Sequence, residues 1–220
     1  MKYLLIQPHS DDVLFSCSHL LFSEIDEVSV LTVENDPKRI KEDEALYNFI
    51  GIPFYHLDVD FIDSSYYGFN KSGLALNSDN AYIYLCELLG KDTLIEIENT
   101  LLGFIRKWFK ENKKGMLVTP LGVGHPFHLF VKDIVEKEVS FFLMYRDFPH
   151  SYKKRSAMQM KEVADRYVLE SQHPVEEFHD VKWKLASKFY RSQSGLLFYE
   201  QSYINKQLPE EIWQNDSLPF

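Results

Sequence analysis

The chain is a series of short apolar runs, each separated from the next by a segment with helical periodicity. This alternation is typical of a parallel sheet whose strands are joined by crossover helices. The run 28–33 is β-branched and almost continuously apolar, as expected for a strand covered on both faces. We therefore predict an α/β fold with a mostly parallel sheet. The predicted strands are 3–7, 28–33, 54–57, 116–119 and 140–145.

Helical periodicity is clearest from about 93 to 112, where apolar residues recur every three or four positions. Thr93 and Glu96 have the spacing of a capping box at the start of this helix. Three shorter segments are also predicted to be helical: 12–23, 38–50 and 127–138.

The segment 58–80 has turn chemistry and no clear period, which predicts a long loop or a small hairpin. Long loops in compact domains often carry function. We expect Tyr66 and Tyr67 in this segment to contact a substrate. The alternative is an ordinary surface excursion.

Size and charge narrow the classes of protein further. The 220 residues are enough for one domain with a sizeable core. The formal net charge of −9 argues against nucleic acid as a partner, because proteins that bind nucleic acids present a basic face to the phosphates.

The first apolar run is soon interrupted by Pro8 and His9, and no run approaches the roughly 20 apolar residues of a membrane span. Two cysteines, Cys17 and Cys86, are too few for a disulfide framework and favour a cytoplasmic location.

A cluster of polar residues follows the first predicted strand directly. His9 and Asp12 are three positions apart in a turn that enters a helix, so an imidazole and a carboxylate can reach one ion. Asp11, between them in sequence, is placed to act as a general base on a metal-activated water. The alternative is that Ser10, Asp11 and Asp12 merely cap the helix that follows.

A second cluster follows the fourth predicted strand in the same way. A turn containing two glycines leads to His125, Pro126 and His128. Proline suits the first turn of a helix, which places His125 near the helix cap and His128 one turn inside. Two histidines at this spacing can share one site, with one on the metal and the other facing the substrate.

Four motifs resemble those of the LmbE/PIG-L family of de-N-acetylases, in that family's order. Pro8-His9-Ser10-Asp11-Asp12 resembles its His-Pro-Asp-Asp-Glu signature, and the segment 125–128 resembles its His-x-Asp-His motif. Arg39-x-x-Glu42 is similar to its Arg-x-x-Glu helix. Ala186-x-x-x-Tyr190-x-Ser192-Gln193 is similar to its closing Ala-x-x-x-His-x-Ser-Gln pattern.

The resemblance implies a Rossmann-like three-layer sandwich over residues 1–193. The tail, 194–220, lies outside the resemblance, and we expect it to be a C-terminal extension packed on the same domain. It implies an enzyme that uses zinc to remove the acetyl group from a small N-acetylated sugar or conjugate. The zinc ligands implied are His9, Asp12 and His128, and Asp11 is implied as the base. His125 then stabilises the oxyanion or protonates the leaving amine, and Arg39 helps to hold the substrate.

Three positions depart from the family's motifs. Ser10 stands in place of proline, Val13 in place of glutamate and Phe127 in place of the aspartate between the two histidines. The last change removes the expected carboxylate partner of His125, for which Glu42 or Asp147 is a possible substitute. Two other functions therefore stay open: hydrolysis of another small N-acyl substrate, and a non-catalytic relative that binds sugar.

Overall fold

The computed structural model describes residues 1–63, 65–72, 75–173, 178–193 and 208–215, and only the backbone of residues 66, 67, 71 and 72. The side chains of Tyr66 and Tyr67, predicted to contact a substrate, therefore lie outside what is described. In the described part of the chain, no helix combines the length and apolar character needed to cross a membrane.

Within these residues one seven-stranded sheet runs through the molecule. Its strands are β1 Tyr3–Gln7, β2 Val28–Thr32, β3 Phe54–His56, β4 Met116–Pro120, β5 Leu143–Tyr145, β6 Tyr167–His173 and β7 Glu210–Asn215. Their spatial order is β3-β2-β1-β4-β5-β7-β6. The first five strands are mutually parallel, and β7 runs antiparallel to both β5 and β6. The predicted α/β fold with a mostly parallel sheet is confirmed.

Helices cover both faces of the sheet. They are α1 Asp12–Ser16, α2 Ser18–Ser23, α3 Pro37–Ile50, α4 Ser65–Ser72, α5 Ser78–Leu89, α6 Lys91–Glu111, α7 Pro126–Glu138, α8 Ala157–Arg166 and α9 His179–Phe189. Short 3₁₀ turns lie at His150–Tyr152, Lys154–Ser156 and Arg191–Gln193.

Successive residues of the central strand enter two separate apolar cores. Leu4 and Ile6 of β1 pack into one core together with residues of α5, α6 and α7. Leu5, between them, packs into the other core with residues of α1, α2, α3 and α9. This is the two-residue period of a strand buried on both faces. The result is a three-layer, Rossmann-like sandwich.

The capping box predicted at Thr93 and Glu96 is wrong. Gly90, with a φ of 87°, ends α5 and allows α6 to begin at once, so Thr93 lies inside the helix. The apolar stripe predicted for this helix is nevertheless buried, as at Ile97 and Leu101.

The interpretation of 58–80 as one long loop or hairpin is also wrong, because it contains α4 and the start of α5. Its polar stretch includes a helix cap: the side chain of Asn77 accepts a hydrogen bond from the backbone N–H of Asn80. The helix predicted at 12–23 is divided at Cys17, whose φ of −141° is not helical. The strand predicted at 140–145 is confined to Leu143–Tyr145.

Strand β7 comes from the predicted C-terminal extension and lies between β5 and β6 in the same sheet. Its sequence begins with two buried acids, Glu210 and Glu211. Glu210 lies 2.6 Å from the ammonium of Lys182, and Glu211 lies 2.7 Å from the guanidinium of Arg146. These ion pairs compensate the charges of a strand that is otherwise in the interior.

Candidate metal centre

The two histidine-bearing turns meet at the carboxyl edge of the sheet. β1 and β4 are neighbouring parallel strands, so the turns that follow them lie side by side. The first turn carries His9 and Asp12. In the second, His125 occupies the N-cap of α7 and Pro126 its first turn, as predicted. His128 lies one turn inside the helix and is fully buried.

Three side-chain atoms from these turns form a small triangle. Nδ1 of His9 lies 3.0 Å from Nε2 of His128. Oδ2 of Asp12 lies 3.3 Å from each of these two nitrogens. A tetrahedral zinc ion with bonds of about 2.0–2.1 Å separates its ligand atoms by about 3.3 Å. The triangle therefore has the dimensions of three corners of such a site.

The outer nitrogen of each imidazole is held by a buried carboxylate. Nε2 of His9 lies 2.8 Å from Oδ2 of Asp63, and Nδ1 of His128 lies 2.7 Å from Oδ1 of Asp147. The other oxygen of Asp147 accepts a hydrogen bond from the backbone N–H of Val123 at 3.0 Å. Histidines that ligate metal characteristically donate their other N–H to a carboxylate in this way.

These contacts determine which atoms face the triangle. A carboxylate only accepts hydrogen bonds, so the outer nitrogens of His9 and His128 carry the protons. In the neutral imidazoles the inner nitrogens are then acceptors, and they face each other and an oxygen of Asp12. Burial opposes protonation of His9, but hydrogen bonds to Asp12 and Asp63 outweigh it and raise the pKa of His9 well above its usual value. The convergence of Nδ1 of His9, Nε2 of His128 and Oδ2 of Asp12 thus favours positive charge among them, either as a proton on His9 or as a metal ion.

His125 borders the same place. His9, His125 and His128 form a buried group that could hold a metal ion, since their ligand atoms all lie within 4.8 Å of one another. The triangle that includes Asp12 is tighter, since its atoms lie 3.0–3.3 Å apart. Burial, together with the nearby His128 and His9, lowers the pKa of His125 well below its usual value.

Asp11, next to Asp12 in the chain, is buried and has a strained backbone. Its φ of 98° lies in the left-handed region, which costs a non-glycine residue about 1–3 kcal/mol and occurs often at functional sites. Asp11 occupies the N-cap position of α1, yet its side chain makes no capping hydrogen bond. The interpretation that this side chain merely caps the helix is therefore wrong. Burial, partly offset by Arg39, raises the pKa of Asp11 well above its usual value.

Arg39 is linked to the centre through two acids. Its Nη1 lies 2.8 Å from Oε2 of Glu34, which is itself buried. The other oxygen of Glu34 accepts a hydrogen bond from the backbone N–H of Asp63 at 3.0 Å. Part of the guanidinium side chain, 21%, stays exposed, so the predicted contact of Arg39 with a substrate remains a prediction.

Another buried carboxylate, that of Asp43, contacts the turn that carries His9. Its oxygens accept hydrogen bonds from Ser10 at 2.9 Å and Tyr190 at 2.8 Å. Thr32 and Gln7 donate to it at 2.7 and 3.2 Å. Ser10, where the resembling family has proline, thus anchors the turn between His9 and Asp11 by a hydrogen bond.

The motif that contains Glu42 is in contact with the motif that contains Ser192. The carboxylate of Glu42 accepts hydrogen bonds from the backbone N–H of Ser192 at 2.7 Å and from its hydroxyl at 2.6 Å. Glu42 is therefore bonded to Ser192, and Asp147 to His128. Among the described residues, Oδ2 of Asp63 lies 3.9 Å from Nε2 of His125.

The two other departures from the family's motifs are apolar core residues. Val13 packs in the core formed with α1, α3 and α9, and Phe127 packs in the core on the opposite face. The ring of Phe127 lies 5.2 Å from that of Phe61.

Sequence reasoning missed Asp63, Glu34 and His150. The ring of His150 lies 4.9 Å from that of His125 and 5.4 Å from that of His128. Glu34 and Asp63 each follow a parallel strand, β2 and β3, at the same edge of the sheet as His9. That shared position is the signal that could have found them.

Comparison with known proteins assigns nothing further. No family model matches the chain, and neither a curated protein nor a solved structure is detectably similar to it.

Proposed function

We propose that the protein is a zinc-dependent hydrolase that removes an acetyl group from an N-acetylated sugar or sugar conjugate of the N-acetylglucosamine type. Its zinc ligands are Nδ1 of His9, Oδ2 of Asp12 and Nε2 of His128. The observation that carries the proposal is the convergence of these three acceptors at 3.0–3.3 Å. Two imidazoles and one carboxylate suit zinc and leave a fourth position open, which is the pattern of a catalytic site.

The chemistry divides between the ion and the side chains around it. Bound zinc supplies Lewis acidity, which acidifies water and polarises a carbonyl. Asp11, buried beside the ligands, accepts the proton of the attacking water. His125 donates a hydrogen bond to the carbonyl oxygen as negative charge develops there, an effect of a few kcal/mol per donor. Asp11 then passes this proton to the amide nitrogen, the C–N bond breaks, and acetate and the amine leave.

The substrate class rests on the resemblance to the LmbE/PIG-L family. Contacts between the motif segments support their interpretation as parts of one site: Glu42 bonds Ser192, and Asp43 joins Ser10 to Tyr190.

The test is the release of primary amine from N-acetylglucosamine conjugates by the zinc-loaded chain, with N-acylated amino acids as a parallel panel. We expect turnover of the sugar conjugates. If only the amino acid derivatives are turned over, the same site hydrolyses a different class of N-acyl substrate, and the proposed substrate class is wrong. If the chain binds one zinc ion and turns over no amide, the proposed reaction is wrong.

The matched variant is Asp11→Asn, which changes the proposed base and leaves the three ligands in place. It should retain zinc and lose activity by about 100-fold or more. Full activity in this variant would remove Asp11 from the mechanism.

A further inference from the structure

Asp63 contacts both histidine-bearing turns although it belongs to neither. Its Oδ2 lies 2.8 Å from Nε2 of His9 and 3.9 Å from Nε2 of His125. The carboxylate side chain is 1% exposed, so these contacts are made out of reach of bulk water. Oδ2 of Asp63 is therefore close both to His9, a proposed zinc ligand, and to His125, the histidine proposed to face the substrate.

Asp63 is itself held by several groups. Its Oδ1 accepts a hydrogen bond from the backbone N–H of Ser65 at 2.8 Å, and its Oδ2 accepts one from the Ser65 hydroxyl at 3.1 Å. Its own backbone N–H donates to Glu34, which bonds Arg39. A buried carboxylate with this many fixed partners has little freedom to turn away from His9.

The contact with His9 selects the nitrogen that faces the zinc site. Because Asp63 only accepts, and its Oδ2 lies 2.8 Å from Nε2 whereas Oδ2 of Asp12 lies 3.3 Å from Nδ1, it favours the neutral tautomer with the proton on Nε2 and the lone pair on Nδ1, the atom of the triangle. An asparagine in its place can donate its amide N–H to Nε2, which would put the ring proton on Nδ1 and block the ligand atom.

We propose that Asp63 is a positioning residue for the metal centre, orienting His9 toward the ion. The inference rests on the proposed zinc site and adds to it a residue outside the four motifs.

The test compares zinc affinity, by competition with a chelator, in the wild-type chain and in Asp63→Asn. We expect the zinc dissociation constant of the variant to rise 10- to 100-fold. Asp60→Asn is the matched control, since Asp60 lies three residues earlier on the chain and is exposed. It should bind zinc as the wild type does.

A purely structural role for Asp63 would lower stability without changing the coordination of a folded chain. The visible absorption of the cobalt-substituted protein distinguishes the two cases, because it reports the coordination geometry directly. We expect Asp63→Asn to change this spectrum and Asp60→Asn to leave it unchanged.

If Asp63→Asn does not fold, Ser65→Ala is the milder variant, because it removes only the hydroxyl that donates to Asp63. It should weaken zinc binding several-fold. Wild-type zinc affinity and an unchanged cobalt spectrum in the folded variants would overturn the role of Asp63 while leaving the zinc site intact. A wild-type chain that binds no zinc would overturn both proposals.

Discussion

Nδ1 of His9 lies 3.0 Å from Nε2 of His128, although 119 positions separate the two residues in the chain. The contact follows from topology, because β1 and β4 are adjacent parallel strands and each ends in a turn that carries one of the histidines. Both imidazoles are fixed from behind by acids, Asp63 and Asp147. The arrangement brings two lone pairs and a carboxylate together, which a bound cation would stabilise.

Asp147→Asn should weaken zinc binding about 10- to 100-fold, because the proton of His128 is then no longer fixed on Nδ1. The same change removes the charged acceptor of the Val123 N–H and should lower the free energy of unfolding by about 1–3 kcal/mol. Chelator competition and denaturant titration measure the two effects. Unchanged zinc affinity would show that Asp147 does not orient the ligand.

The five parallel strands were predictable because their apolar runs are local and nearly continuous, as at 28–33. Strand β7 was not, since its sequence begins with Glu210 and Glu211. These acids are buried only because Lys182 and Arg146, remote in sequence, compensate them. A strand defined by distant ion pairs has no local signature.

The same difference applies to the candidate site. His9, Asp12 and His128 lie in turns whose spacing is local, so the sequence could indicate them. The partners that orient them lie on other segments: Asp63 follows β3 and Asp147 follows β5. Only the order of the strands brings these acids to the imidazoles.

Phe127→Asp tests whether the aspartate of the resembling family could be accommodated here. Phe127 is fully buried in an apolar core next to Phe61 and Phe130. We expect the variant to be severely destabilised, because a carboxylate there is desolvated without a partner. A stable variant with higher deacetylase activity would show that the position belongs to the site rather than to the core.

Phe127→Ala isolates the packing contribution. Removing a fully buried phenylalanine should lower the free energy of unfolding by about 3–5 kcal/mol. Phe49→Ala is the matched control, since Phe49 is 61% exposed, and its cost should be well below that of Phe127→Ala. Equal losses in the two variants, measured by denaturant titration, would contradict the assignment of Phe127 to the core.

Asp43 should make stability depend on pH. Burial, opposed by hydrogen bonds from Thr32, Tyr190 and Ser10, raises the pKa of Asp43 from 3.8 to about 7. Between these values the folded chain binds the proton more tightly than the unfolded chain does. The contribution of Asp43 to the free energy of unfolding therefore falls as pH rises from about 4 to 7, by at most about 4 kcal/mol. Above about pH 7 it is constant.

Asp43→Asn removes this titration. We expect the free energy of unfolding of the wild type to fall relative to that of the variant as pH rises from 4 to 7. Denaturant titrations of both proteins at several pH values measure this difference. A difference that is constant over this window would show that Asp43 keeps an ordinary pKa in the folded chain.

Zinc content is the most direct test of the central claim that His9, Asp12 and His128 form one metal site. After exposure to zinc and exhaustive dialysis, elemental analysis should find one zinc ion per wild-type chain and essentially none in His128→Ala. His179→Ala, which removes a histidine of α9 instead, should retain the metal. Equal zinc content in the wild type and in folded His128→Ala, or none in the wild type, would contradict the account.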